Sequence, residues 1–181
     1  MRLFVAVEPS PAAREHLDAA LAALRETAPT GLRWVPRDRW HVTLAFLGDV
    51  GDNVLSDLRT RLERAARRHP PMELCLARGG RFDGRVLWVG MGGDIEPLRA
   101  LAASVQAGAR RAGCAIEERR WRAHLTLARA RTPIELRDLA GALGAYAGPS
   151  WEAGELALVR SHLGAQVRYE TVGAWPLGVG A

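Results

Sequence analysis

Two short segments of the chain carry residues that could move protons. His41–Val42–Thr43–Leu44–Ala45 is followed, 83 residues later, by His124–Leu125–Thr126–Leu127–Ala128. Val, Leu and Thr favour extended backbone, so each segment reads as a β-strand. Side chains alternate across a strand, which puts His41 and Thr43 on one face and Val42 and Leu44 on the other. His124 and Thr126 repeat the arrangement, with Leu125 and Leu127 opposite. Imidazole ionises near neutral pH. Of two histidines, one can be neutral and take a proton from water while the other is charged and gives a proton to a leaving oxygen. Hydroxyls beside them can hydrogen-bond the non-bridging oxygens of a phosphate, and these bonds strengthen as charge builds in the transition state. Two such strands facing one another fit metal-free cleavage of a phosphodiester. A cyclic phosphate is a reasonable target, because its strained ring opens with one attack by water and no covalent enzyme intermediate.

Other chemistries find less support. Zinc takes three or four protein ligands, and neither segment supplies a second one at helix or loop spacing; no HExxH pattern occurs. There is no G-x-S-x-G elbow, no phosphate-binding loop and no dinucleotide fingerprint. No metal and no cofactor are therefore expected. His16 on a first helix, His69 after a helix end and His162 near the end of a late strand read as surface or structural residues.

The elements that must position the two segments also occur twice. Arg2-Leu-Phe-Val-Ala-Val-Glu-Pro9 resembles Arg85-Val-Leu-Trp-Val-Gly-Met-Gly92 at the same offset of 83 residues. A helix follows each. Ser10 caps the first, Pro11 opens it, and Leu17, Leu21 and Leu24 form its stripe; Asp94 caps the second, whose stripe is Leu98, Leu101 and Val105. After each His-x-Thr strand come another helix, at 53–68 and 134–146, and another strand, at 72–78 and 151–161. A last strand at 167–175 could close one half. The expectation is one domain over residues 1–181, with two lobes made by an internal duplication and equivalent strands meeting at a shared cleft.

At 181 residues the chain can bury on the order of 70% of its unfolded surface and needs no covalent staple. Its two cysteines, Cys75 and Cys114, have neither metal nor redox spacing, so a reducing compartment is expected. The N-terminus shows no basic region followed by an apolar run, and no apolar stretch approaches bilayer length; a soluble cytoplasmic protein is expected. The formal net charge is +5, and all 25 basic residues are arginine. Positive charge attracts phosphates. The absence of lysine, however, looks like a bias of the encoding genome. The arginines of helix 53–68 (Arg59, Arg61, Arg64, Arg67, Arg68) read as a solvated face rather than a nucleic-acid patch.

At the two segments the chain resembles the two-histidine (2H) phosphoesterase superfamily, and within it the RNA 2′,3′-cyclic phosphodiesterases, also called 2′-5′ RNA ligases. Trp34-Val-Pro36 with Trp40-His-Val-Thr-Leu-Ala-Phe-Leu-Gly48 is similar to that branch's first motif region, and His124-Leu-Thr-Leu-Ala-Arg129 to its second. Arg81-Phe82 with Arg85-Val-Leu-Trp-Val-Gly90 resembles its middle strand, and Ser161, Leu163, Tyr169 and Pro176-Leu177 its C-terminal region. The resemblance implies a bilobal α+β fold with antiparallel sheets lining a central cleft and helices outside. It implies hydrolysis of a terminal 2′,3′-cyclic phosphate to a 2′-phosphate without metal or nucleotide cofactor, by a monomer whose partner is RNA and not a membrane. His41 would be the proton donor and His124 the proton acceptor, with Thr43 and Thr126 holding the phosphate. An ATP-independent joining of RNA ends through a 2′-5′ linkage is implied as well.

Phe46 and Arg129 match substrate-binding positions. Simple alternation puts both on the face away from the histidines, so a bulge or a strand end must re-aim them. Trp34 or Trp40 could stack on a base, but buried packing fits them better. One departure stands out: the family places Pro before the second histidine, and here Ala123 occupies that position. Two alternatives stay open, a nucleotide- or RNA-binding module without turnover and a phosphodiesterase for a small cyclic phosphate such as an ADP-ribose derivative.

Overall fold

The computed structural model describes residues 1–164 and 166–178. Nine strands form one antiparallel sheet: β1 (Arg2–Val7), β2 (Leu32–Trp34), β3 (Val42–Asp49), β4 (Met72–Phe82), β5 (Val86–Gly93), β6 (His124–Ala130), β7 (Ala147–Ala153), β8 (Glu155–His162) and β9 (Arg168–Pro176). Among the described residues four α-helices accompany them: α1 (Pro11–Glu26), α2 (Asp52–Arg68), α3 (Ile95–Arg111) and α4 (Arg137–Ala142). The strand order is β7-β4-β5-β6-β3-β1-β8-β9, with β2 added against β6. The order reads outward symmetrically from the β6/β3 junction, with β5 matching β1, β4 matching β8 and β7 matching β9. The result is a bilobal α+β fold, its lobes being the two halves of a single sheet.

The path of the chain through this sheet is less simple than a repeat followed by a repeat. β4 ends the first set of elements, yet it pairs with β5 and β7 in the other lobe. β8, whose first residue lies 83 positions after that of β4, returns to pair with β1. Each lobe thus receives a strand from the opposite half of the chain. This corrects the strand expected at 151–161. Its residues belong to β7, paired with β4, and to β8, paired with β1, divided at Gly154. Pro149 fits β7 because that strand is an edge. The helix expected at 134–146 is also corrected. Only Arg137–Ala142 is helical, although Leu136, Leu139 and Leu143 are all buried. Gly141 and Gly144 make helix propagation costly there, and the chain is extended again from Ala147.

The other helices follow their sequence signals. The Ser10 hydroxyl accepts from the Ala13 amide at 3.1 Å, and Leu17 and Leu21 are fully buried. Asp94 stands at the N-cap of α3, but its carboxylate accepts the Glu73 amide at 2.8 Å and so fastens the start of β4 instead.

The two motif strands meet in the sheet at a single residue pair, Val42 with Leu125. Each carries a bulge at the same place. On β3, Ala45 faces Val5 and Thr43 faces Ala6, so Leu44 is the extra residue; on β6, Ala128 faces Leu87 and Thr126 faces Trp88, so Leu127 is extra. An extra residue reverses the alternation beyond it. From His41 to Phe46 and from His124 to Arg129 the burial sequence is accordingly identical: half-buried, buried, half-buried, buried, buried, exposed. Both bulge carbonyls are satisfied by distant groups. Gln106 Nε2 of α3 donates to Leu44 O at 2.9 Å, and Val35 N donates to Leu127 O at 2.8 Å. Replacing Gln106 by Leu leaves the Leu44 carbonyl without its donor and is expected to cost ~1–3 kcal/mol of stability in urea unfolding. A change under ~0.5 kcal/mol would mean that the bulge does not depend on this bond.

Candidate active site

His41 and His124 are held in the same way. The Nδ1 of His41 bonds the Arg39 carbonyl at 2.8 Å, and the Nδ1 of His124 bonds the Arg122 carbonyl at 2.9 Å, each two residues upstream. A carbonyl only accepts, so Nδ1 carries the hydrogen in both rings and Nε2 is the nitrogen left for chemistry. Ala123, standing where Pro is usual, leaves this anchor intact.

The walls around the two rings differ. His41 stacks on Phe4 with centroids 4.5 Å apart, and Tyr169 meets it edge-on at 5.4 Å. Phe4, Ala6, Ala157 and Val159, with Tyr169 against them, form an apolar cluster separate from the main core. These residues come from β1, β8 and β9, so the strand that crosses back from the second half builds the floor under His41. His124 lies edge-on to Phe82 at 5.2 Å and to Trp88 at 6.2 Å. The Arg122 guanidinium sits over both of those aromatic rings, 5.8 Å from Phe82 and 5.9 Å from Trp88. Trp88 lies across Gly80, where any Cβ would come within 2.1 Å of the ring, so this aromatic wall requires a glycine on β4.

Burial and positive neighbours favour the neutral form of both imidazoles. Desolvation brings the His41 pKa down from 6.5 to about 4; the Arg39 carbonyl opposes this, and the charges of Arg129, Arg14 and His124 add to it. His124 is lowered for the same leading reason, again with Arg129 adding to the effect, joined by Arg119 and Arg122. Arg129 therefore acts on both rings. A site where cations crowd two imidazoles favours an anion, whose charge would offset the repulsion.

Thr43 and Thr126 lie two residues after their histidines on half-buried positions of the same strand faces, and neither hydroxyl has a hydrogen-bond partner among the described residues. Phe46, 52% exposed, stands 6.3 Å from the Phe4 ring that stacks on His41. Phe46 and Arg129 follow the bulges, and both are exposed where simple alternation would bury them. The two tryptophans of the first motif region pack instead of facing the histidines. Trp40 is buried and donates to Val35 O at 3.0 Å, while Trp34 is half-buried beneath Arg25. His16, His69 and His162 bond Tyr146, Ser104 and Glu170, away from the pair.

Trp121 was not singled out by residue chemistry, yet its Nε1 donates to Thr43 O at 2.9 Å and ties the approach to His124 directly to the His41 strand. Phe4, Gln106 and Arg122 also lacked a readable signal, because each acts through a tertiary contact. Among the described residues no group of three or more His, Cys, Asp or Glu is placed to hold a metal ion, and no helix is long and apolar enough to cross a membrane.

Comparison with known proteins gives a consistent result. The family model of the 2′-5′ RNA ligase superfamily matches residues 9–165. An RNA 2′,3′-cyclic phosphodiesterase of Geobacillus stearothermophilus is 30% identical over 80% of this chain, a match that spans 47% of that protein's length. A protein of the same name from Archaeoglobus fulgidus is 32% identical over 72% of this chain and 73% of its own. The crystal structure of Escherichia coli LigT complexed with 3′-AMP superposes with a TM-score of 0.76 at 27% identity, covering 97% of this chain and 96% of LigT. With its paired His-x-Thr strands on the matched fold, this chain belongs to the 2′-5′ RNA ligase superfamily.

Proposed function

We propose that the protein is an RNA 2′,3′-cyclic phosphodiesterase that opens a terminal cyclic phosphate to a 2′-phosphate by two-histidine acid–base catalysis. One observation carries this reading: two imidazoles with identical Nδ1 anchors leave two Nε2 atoms on strands joined at one residue pair, within a common arginine field. Relatives bearing that name, and the nucleotide complex of LigT, support the substrate class.

Water attacks phosphorus in line with the 3′-oxygen. His124 takes the water proton, His41 gives a proton to the departing 3′-oxygen, and the P–O3′ bond breaks. Thr43 and Thr126 donate to the non-bridging oxygens, and Arg129 balances the charge. Phe46 offers an exposed ring to the nucleoside. A 5′-hydroxyl in place of water gives a 2′-5′ linkage by the same proton transfers, with the strained ring supplying the driving force and no ATP required. The chain acts as a monomer in this reading.

The depression of the His41 pKa to about 4 leaves little of its protonated form near neutral pH, which favours a second assignment in which His41 is the base and His124 the donor. A cyclic substrate with sulfur in place of the 3′-oxygen separates the two, because a thiolate leaves without a proton. Restored turnover in His41→Ala alone supports His41 as donor, and restored turnover in His124→Ala alone reverses the roles.

With chelator present, an oligonucleotide ending in 2′,3′-cyclic phosphate should yield only 2′-phosphate. His41→Ala and His124→Ala should each lower kcat about 10²–10⁴-fold, and Thr43→Val and Thr126→Val each about 10²-fold or more. Full activity in both histidine variants would end the proposal.

The pH profile follows from the direction of the shifts. Both rings ionise below their ordinary value, so the free protein loses the proton it needs as pH rises, and kcat/KM should fall between roughly pH 6 and pH 8. A bound phosphodiester raises both pKa values, so the alkaline limb of kcat lies at higher pH than that of kcat/KM. A kcat/KM that climbs over this interval would exclude a charged imidazole donor.

A further inference from the structure

We propose that the groove between α2 and α3 is a second anion site that holds the phosphodiester backbone of RNA without reading its bases. The groove has a volume of about 430 Å³, within the range of ligand-sized sites. Four arginines line it, Arg61, Arg64 and Arg68 from α2 and Arg111 from α3, and no carboxylate does. Arg61 is already committed to Asp57 at 2.7 Å. Among the described residues none of Arg64, Arg68 and Arg111 has an ion-pair partner. Their neighbours on the same helix behave differently: Arg67 pairs with Glu63, and Arg59 donates to Val172 O. The proposal keeps the solvated-face reading for Arg59 and Arg67 and departs from it along this groove.

The floor explains both why the site exists and what it can recognise. Ala65, Ala103, Ala107 and Gly108 are small, and a Cβ on Gly108 would lie 3.3 Å from that of Arg61, so the helices approach closely and three arginines without ion-pair partners line one depression. Guanidiniums match phosphate oxygens in bidentate fashion. No aromatic ring lines the groove, so there is no platform for stacking a base. Backbone contact without base contact gives affinity that is independent of sequence and sensitive to salt.

The choice of RNA rests on the proposed activity, but the binding test does not. Fluorescence anisotropy with 20-nucleotide oligo(U) and oligo(A) carrying plain 3′-hydroxyls measures the groove apart from catalysis. The Arg64→Ala/Arg68→Ala/Arg111→Ala protein should bind both about tenfold more weakly, and its slope of log K against log salt should shrink by about 2, the release expected for three single-strand phosphates. An Arg2→Ala/Arg99→Ala/Arg137→Ala protein loses the same net charge elsewhere and should bind as the parent does. Hydrolysis of adenosine 2′,3′-cyclic monophosphate should be unchanged in both; failure of the parent on that substrate and on cyclic-ended RNA would sink the activity and not the groove. Equal weakening in the two triple variants would overturn the proposal, as would a preference above fivefold between the oligonucleotides. Tighter parent binding to phosphatidylserine vesicles than to RNA at the same salt would assign the groove to a membrane and overturn it too.

Discussion

The sheet is joined across its middle by one residue pair. Val42 and Leu125 bring β3 and β6 together, and beyond that point the two strands take different neighbours, β1 for the one and β5 and β2 for the other. A long shared ladder would have merged the lobes into a continuous face and set the histidines side by side on it. A single pair lets the lobes diverge while the histidines, each adjacent to a member of the pair, stay beside the junction. Two bonds stiffen this narrow joint, from Trp121 to Thr43 O and from Gln106 to Leu44 O. Both cross from the second half of the chain to the first motif strand.

The paired bulges complete the geometry. A regular strand would show each cleft face every second residue, so the fifth position after each histidine would face the core. At Leu44 and Leu127 the extra residue lets Leu–Ala bury two consecutive side chains and returns the following position to solvent. One site device is thus made twice from the same sequence pattern, and the residue re-aimed differs. Phenylalanine on the first strand faces an apolar wall; arginine on the second joins a cationic one.

Much of the site was legible before the fold. His and Thr two residues apart share a face whatever the surroundings, and repetition of that pair at a fixed offset singles it out from His16, His69 and His162. Caps at Ser10 and Pro11 depend on neighbouring residues alone, so they were readable too. The exchange of β4 and β8 between lobes was not, because an apolar strand matches either open edge equally well and only the assembled sheet decides. Nor was the division at Gly154, where two strands follow one another without a turn sequence strong enough to separate them. The bulges leave no local trace either, since Leu–Ala is ordinary in a buried strand and the donors that stabilise the bulge, Gln106 and Val35, lie far away in sequence.

The difference between the two walls bears on how a symmetric frame can run an asymmetric reaction. The hydrolysis proposed for this chain needs one base and one acid, so two equivalent imidazoles must be made unequal. The frame supplies equal anchors, and the strands flanking each ring supply different walls. β8 and β9 put an apolar floor and Tyr169 against His41, which penalises its charged form by desolvation. β4 and β5 put Phe82 and Trp88 beside His124 with Arg122 above them, a wall that is partly aromatic and partly charged. A phosphodiester bound there would add the same negative charge next to both rings and raise each pKa. The exchange of β4 and β8 between the lobes thus gives two equally anchored histidines different surroundings: β8 adds to the floor under His41, and β4 carries the Phe82 ring beside His124.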